Sequence, residues 1–492
     1  MLSNTDLNRR NFLKLTAAFS AGALLRPQNS SLGASSVNQT SPNIIYVFAD
    51  QMRASALGHT PDGDPVRTPH LSRFAGEGIE LTQAASTFPV CSPHRAMLLT
   101  GCYPSRNNVE LNINSDPRNQ FELRDDQVCV TDVLAQSGYN VAYIGKWHLT
   151  KPFAPLLDEF RLSWDGNVWN EYTRPESRHG ITFWHAYNTY DKHLRPMYWS
   201  GSQGRHEYEF VDQWSPEHEA DVAINYLQKQ KEQDKPFALF VSFNPPHPPF
   251  HEVPNKYKEI YGDATAAELL KRKNVSSSEE SSLTEASRSV LDYFAMISGV
   301  DEQFGRILSE VSRLGLEKNT LVVFSSDHGE MMGSHGLMGK NIWYDEAFRV
   351  PFLVRFPDRL KAGQKNNLLL NTPDIPATLL GLLGLESRIP DQWQGADHSR
   401  CLTESSGRYP EYQLYWNNYD QSRGIRTLRH TCVLPKGSKE KEAWVLQEPA
   451  LYDNLNDPWQ IENLAAEKKQ IVRDFAAIAD ELCRGLGDTW SS

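Results

Sequence analysis

A cysteine stands two residues before a proline and four before an arginine in Cys91-Ser-Pro-His-Arg95, and the apolar run Ala-Met-Leu-Leu-Thr-Gly follows. Pro93 suits a first helical turn, where its missing N–H would find no partner anyway, and Gly101 suits a helix stop. A thiol at a helix N-terminus with a guanidinium nearby is placed to carry negative charge, and the same features hold an anion. The pentapeptide also suits a buried structural cysteine, so alone it leaves both readings open.

Four other groups fall where chemistry is expected. Asp50-Gln51 follows the apolar run Asn43 to Ala49, Lys146-Trp147-His148 follows Asn140 to Ile144, His247 follows Phe237 to Phe243, and Asp327-His328-Gly329 follows Leu321 to Ser325. Ligands of open parallel sheets bind at the carboxyl ends of the strands, so these runs, read as strands, bring all four groups to one edge. Singly, Asp50 suits a helix cap, His148 a core histidine and His247 a loop residue in a proline-rich turn; their convergence argues for a site. Asp50, Gln51 and Asp327 are hard oxygen ligands suited to calcium. His328 adds nitrogen, which keeps manganese open.

The elements that position these groups alternate short apolar runs with helical patterns from about residue 43 to 385. That alternation predicts an α/β fold, a large mixed, mostly parallel sheet sandwiched by helices. Phe352 to Phe356 is a fifth strand. Helices are expected over Thr68 to Glu77, Thr131 to Ser137, Pro216 to Lys231 and Arg288 to Leu314, with an exposed loop from Lys271 to Ser287. Residues 42–385 form the expected catalytic domain. Residues 386–492 read as a smaller α+β subdomain on a short antiparallel sheet, with strands Tyr412 to Tyr419, Gly424 to Leu434 and Ala443 to Leu446 and a helix from Glu462 to Leu482.

At the amino terminus, Asn8-Arg9-Arg10-Asn11-Phe12-Leu13-Lys14 precedes a short apolar stretch, Leu15 to Leu25, too brief to span a membrane. Residues 1–33 therefore read as a twin-arginine export signal cleaved near Gly33 or Ala34, with a periplasmic or secreted mature protein engaging the twin-arginine export machinery. Removing that segment takes the net charge from −11 to −14, which disfavours nucleic acid and anionic lipid as partners, and no other segment suits stable membrane insertion. Six cysteines at irregular spacing, five without Cys91, argue against a disulfide scaffold and leave one bridge open in an oxidising compartment.

Cys91-x-Pro93-x-Arg95 with Leu-Leu-Thr-Gly resembles the signature of the formylglycine-dependent (type I) sulfatases of the alkaline-phosphatase-like superfamily. His94 stands where many members carry serine. Gly138 to Leu149, with Gly145, Lys146 and His148, is similar to the second signature of that family, and Leu451 to Leu464 to its closing segment. The resemblance implies oxidation of Cys91 to formylglycine by a maturation enzyme, and a metal held by Asp50, Gln51, Asp327, His328 and the modified Cys91. It further implies charge balance from Arg95, Lys146 and Lys340, His148 as the base that restores the aldehyde, and His247 or Lys340 as leaving-group acid, with His247 preferred.

Between residues 152 and 214 an aromatic-rich insertion carries Trp164, Trp169, Tyr172, Trp184, Tyr187, Tyr190, Tyr198 and Trp199 with His179, His185, His193, Arg195 and Arg205. These residues suit a sulfated sugar, or packing of the insertion, with two or three facing a pocket. The leading expectation is a metal-dependent sulfatase acting on a sulfated polysaccharide or its oligosaccharides. An arylsulfatase or phosphonate monoester hydrolase on the same scaffold, and a non-catalytic sulfated-glycan-binding protein, are the alternatives.

Overall fold

The computed structural model describes residues 41–492 except 62, 161–164, 276–280, 405–406, 437–445, 489 and 491–492. The export-signal reading of residues 1–33 and Trp164 lie outside the described residues, as does most of the expected Ala443 to Leu446 strand.

Fourteen strands are described. In chain order they are β1 (Asn43–Ala49), β2 (Ile79–Leu81), β3 (Asn140–Lys146), β4 (Phe183–Tyr187), β5 (Met197–Ser200), β6 (Glu209–Phe210), β7 (Phe237–Phe243), β8 (Thr320–Ser326), β9 (Phe352–Arg355), β10 (Gln364–Asn366), β11 (Gln413–Asn417), β12 (Ser422–Arg426), β13 (His430–Leu434) and β14 (Ala450–Asp453). The first ten make one sheet in the order β10-β2-β9-β8-β1-β7-β3-β4-β5-β6. Its centre is parallel, with Ile45 opposite Leu239 on one side and Val322 on the other. β9 and β5 run antiparallel to their neighbours, so the sheet is mixed and mostly parallel.

The central strands are apolar along their length because both faces are covered. Ile44, Tyr46 and Phe48 face a layer containing Ala96, Leu98, Leu99, Leu379 and Leu380. Ile45, Val47 and Ala49 face Tyr226, Leu227, Tyr293, Phe294 and Phe304 on the other side. This period-two alternation sets β1 between the Cys91–Thr100 and Asp374–Leu383 helices and the Ser215–Gln230 and Ser281–Arg313 helices.

Several boundaries differ from expectation. The long helix begins at Ser281 and runs to Arg313, seven residues earlier than expected, because the polar segment before Arg288, with Thr284, Glu285 and Ser287 exposed, is already helical instead of a loop. Residues 152–214 add β4, β5 and β6 to the edge of the main sheet. Gly424 to Leu434 is two strands, β12 and β13, joined by a turn in which Thr427 N–H donates to His430 O at 2.8 Å.

β11 to β14 form the antiparallel sheet, covered by the Lys469–Gly485 helix through Phe475, Ala479 and Cys483. That helix starts later than expected, since residues 462–468 are not helical and 465–467 form a turn. The small sheet is tied to the catalytic side, since Leu414, Trp416 and Ile425 share a cluster with Phe88, Val90 and Met97. All six cysteines are buried and unpaired, so the one bridge left open by the sequence is not formed. Among the described residues no helix is long and apolar enough to cross a membrane.

Candidate active site

Cys91 is the first residue of the Cys91–Thr100 helix, which is buried throughout. Gly101 ends it with φ 61° and donates its N–H to Met97 O at 2.9 Å. A Cβ there would stand 2.7 Å from the Trp393 ring, so both conformation and contact call for glycine. At the end of β3, Gly145 has φ 97° and passes so close to Ser242 O that a Cβ would lie 2.2 Å away. This close approach places the next residue, Lys146, against the end of β1.

At the sheet's carboxyl edge the expected groups meet. Cys91 Sγ lies 3.3 Å from Lys340 Nζ, 3.3 Å from His328 Nε2 and 3.7 Å from Asp50 Oδ1. Arg95 donates from Nη2 to Asp50 Oδ2 at 3.1 Å and to Asp327 Oδ2 at 3.0 Å. Its Nη1 donates to Lys146 O at 2.6 Å and Ser242 Oγ at 2.8 Å. Lys146 Nζ pairs with Asp50 Oδ2 at 2.7 Å and donates to Asn244 Oδ1 at 3.0 Å. All of these side chains except Lys340 are fully buried.

Asp50, Cys91, Asp327 and His328 each offer one ligand atom, all within 4.8 Å of one another. Two carboxylates, an imidazole and residue 91 around one point fit a divalent cation of mixed oxygen and nitrogen preference. Gln51 is arranged differently. Its N–H donates to Asp327 Oδ1 at 3.1 Å, its Oε1 accepts from Lys340 Nζ at 2.5 Å, and its Nε2 donates to Glu330. Gln51 and His148 both hold positive φ, 73° and 57°. For side chains of this type such conformations cost energy and mark places where the surroundings over-determine the backbone.

The charges explain one another. Burial would raise the Asp50 carboxyl, but Lys146, His247, Lys340 and His328 hold it well below the usual range. Asp327 is pushed up by burial and by the charge of Asp50. Burial and Asp50 oppose ionisation of Cys91, and Lys340, Lys146 and His328 overcome them, leaving the thiol well below its ordinary value. Burial opposes the charge on His328, and Asp327 together with Cys91 more than offsets it, so the imidazole is held above its ordinary value. Three permanent cations, Arg95, Lys146 and Lys340, converge here, a ready counter-charge for an anionic group.

His148 also interacts with Cys91. Its Nε2 hydrogen-bonds Ile113 O at 3.2 Å, its Nδ1 has no partner among the described residues, and the ring lies within interaction range of Cys91. Burial keeps it below the ordinary histidine value, the state of a proton acceptor. His247 is outermost, with Nδ1 2.7 Å from Pro248 O and 3.5 Å from Asp191 Oδ1. His94 is taken up elsewhere: its Nδ1 contacts Ser86 Oγ at 2.9 Å behind the helix.

Sequence reasoning missed Asp191, Ser242, Asn244 and Glu330. Asn244 Nδ2 donates to Asp191 Oδ1 at 3.0 Å while its Oδ1 holds Lys146, so one amide fixes both a cation and a carboxylate. Asn244 opens the same proline-rich turn as His247, and Ser242 is the last outward hydroxyl of β7; those positions were the available signal. Nothing local marks Asp191.

The aromatic segment is mainly core. Tyr172, Tyr187, Tyr190, Tyr198 and Trp199 pack together, and Trp184 stacks on Tyr143. His179 pairs with Asp132, His185 with His218, Arg195 with Asp212 and Arg205 with Glu171, while His193 donates to His247 O. Trp169 differs. It is half-buried, with its ring 5.7 Å from that of His148.

Residues 42–385 match the family model described as sulfatase, and residues 333–484 the one described as N-sulphoglucosamine sulphohydrolase, C-terminal. The chain belongs to the sulfatase family. Its reaction is hydrolysis of a sulfuric ester. It is 38% identical to an endo-4-O-sulfatase of Bacteroides thetaiotaomicron, over 91% of this chain and 93% of that one. It is 35% identical to an ulvan-active sulfatase of Formosa agariphila, over 92% and 83%. Among solved structures, a sulfatase from Bacteroides fragilis superposes with a TM-score of 0.86 at 37% identity, covering 94% of this chain and 99% of that one. The phosphonate monoester hydrolase of Agrobacterium radiobacter shares the fold, with a TM-score of 0.64 at 24% identity over 90% and 96%.

Proposed function

We propose that this sulfatase removes sulfate from a sulfated carbohydrate, polysaccharide or derived oligosaccharide, after export by the twin-arginine route to the periplasm or beyond. The carrying observation is the setting of Cys91, at the head of a buried helix with Lys340, His328 and Asp50 within 3.7 Å of its sulfur. The endo-4-O-sulfatase and the ulvan-active sulfatase support a glycan substrate by their names.

In this reading a maturation enzyme converts Cys91 to formylglycine, whose hydrate supplies one hydroxyl to attack sulfur and a second to expel sulfate. A divalent cation held by Asp50, Asp327 and His328 would neutralise charge and acidify the attacking hydroxyl, and Gln51 would join the set only by releasing its Oε1 from Lys340. We assign calcium, with manganese the competitor that the His328 nitrogen favours. Arg95, Lys146 and Lys340 balance charge on the sulfuryl oxygens, an arrangement whose geometry is already set before substrate arrives. His247, oriented by Asp191, gives a proton to the departing alcohol oxygen, and His148 takes one from residue 91 as sulfate leaves.

The test is sulfate release from a panel of sulfated glycosaminoglycans and ulvan, with a phosphonate monoester alongside. Protein co-produced with a maturation enzyme should release sulfate from a glycan, and Cys91→Ala should release none while staying folded. Turnover of the phosphonate ester alone would move the function to the alternative hydrolase.

A further inference from the structure

The turn between β11 and β12, residues 418–421, reaches the active site from the small sheet. Asn417 Nδ2 donates to Asn341 O at 3.2 Å, beside Lys340, and Asn418 Nδ2 to Glu110 O at 3.3 Å. Asn418 Oδ1 receives Trp416 Nε1 at 2.8 Å and Arg423 Nη2 at 2.9 Å. A turn pinned from both sides of the catalytic cysteine holds its side chains in fixed positions.

Between those pins stands Tyr419. Its hydroxyl accepts the N–H of Asn112 at 3.1 Å, and Asn112 Oδ1 accepts the N–H of Ser92 at 2.9 Å. Ser92 is Cys91's neighbour, and its hydroxyl donates to His148 O at 2.8 Å. Tyr419 thus sits one loop away from both Cys91 and His148; burial pushes its phenol up to about 12, and the charge of Cys91 adds to that. Phe88 backs the ring edge-on at 6.1 Å.

Two features of this tyrosine are unexplained by packing. The residue is 39% exposed although the turn carrying it is held by hydrogen bonds on both sides. Its hydroxyl accepts a hydrogen bond yet donates none among the described residues, leaving a proton for an incoming acceptor. A partly exposed aromatic residue with a free donor, one loop from Cys91, has the chemistry that binds a sugar, apolar ring against C–H face and hydroxyl to oxygen.

We propose that Tyr419 is a substrate-contacting residue of the sugar subsite, packing its ring on the sugar that carries the scissile sulfate and donating its hydroxyl to an oxygen of that sugar. The proposal rests on the carbohydrate reading above.

Calorimetry tests it without turnover, in a Cys91→Ala background with calcium. The probes are inorganic sulfate, a 4-O-sulfated glycosaminoglycan tetrasaccharide and a sulfated ulvan oligosaccharide. Tyr419→Ala should weaken the bound saccharide about tenfold or more while weakening sulfate much less. Tyr419→Phe, which keeps the ring and so the fold, should cost the saccharide about three- to tenfold, the loss of one hydrogen bond. Saccharide affinity within twofold of the parent in both variants overturns the proposal. Equal weakening of sulfate and saccharide also overturns it, because Tyr419 would then act through Asn112 on the Cys91 helix. A parent that binds sulfate and neither saccharide refutes the carbohydrate reading itself, an outcome distinct from loss confined to the Tyr419 variants.

Discussion

Arg95 is the residue on which the buried charge cluster turns, and Arg95→Met measures how much. The substitution keeps an unbranched stem over the Phe48 ring, which the guanidinium now covers at 5.0 Å, and deletes the charge between Asp50 and Asp327. Removing one partner of a buried ion pair costs about 3–5 kcal/mol, because the remaining charge is left desolvated. Asp50 keeps Lys146 at 2.7 Å and Asp327 keeps the Gln51 N–H at 3.1 Å. The loss should therefore fall near the lower limit, about 3 kcal/mol.

Urea unfolding followed by tryptophan fluorescence, in chelator at neutral pH, reads this directly. Adding Asp50→Asn removes one of the stranded carboxylates, so the double variant should recover about 1–2 kcal/mol relative to additivity. Calcium should shrink the deficit of Arg95→Met, since a cation between the carboxylates takes over part of the lost role. A single variant within about 0.5 kcal/mol of the parent in chelator, the size of an ordinary surface change, would refute the argument that Arg95 holds this cluster together.

Asp301 caps the Pro69–Glu77 helix from the long helix, accepting the N–H groups of His70 and Leu71 at 3.1 and 2.7 Å, and burial pushes it up to about 7. The unfolded chain ionises this group first, so stability falls as pH rises from the ordinary carboxyl value towards 7, by up to about 4 kcal/mol. Asp301→Asn should flatten that slope in thermal unfolding at pH 4 to 7, and parallel profiles would contradict the assignment. Asp191→Asn should slow release of sulfate from a saccharide, whose alkoxide needs a proton, by about ten- to hundredfold, and affect 4-nitrophenyl sulfate far less. Equal losses on the two esters would remove Asp191 and His247 from leaving-group protonation.

How much could be read from the chain followed how local the signal was. β1 and β7 were legible to the residue because a strand buried on both faces is an unbroken apolar run with a polar residue at its end. That same end rule found Asp50, Lys146, His148, Asp327 and His328. Pairing direction was less legible: β9 looks like any buried strand, and only the complete sheet makes it antiparallel. The aromatic segment left packing and sugar binding both open, and packing holds for most of it, because β4 and β5 carry their tyrosines and tryptophans inward at a sheet edge. Asp191 and Tyr419 left no trace in the sequence, being brought to the site by segments roughly 100 and 330 residues from Cys91 along the chain through hydrogen bonds to Asn244 and Asn112.

The central claim is that residue 91 works as an aldehyde. Its most direct test is the mass of the peptide containing Cys91, taken from protein made with a formylglycine-generating enzyme and active on a sulfated glycan. The account predicts the thiol replaced by an aldehyde in equilibrium with its hydrate, in a fraction that tracks specific activity across preparations. An intact thiol in protein that releases sulfate at full rate would contradict it.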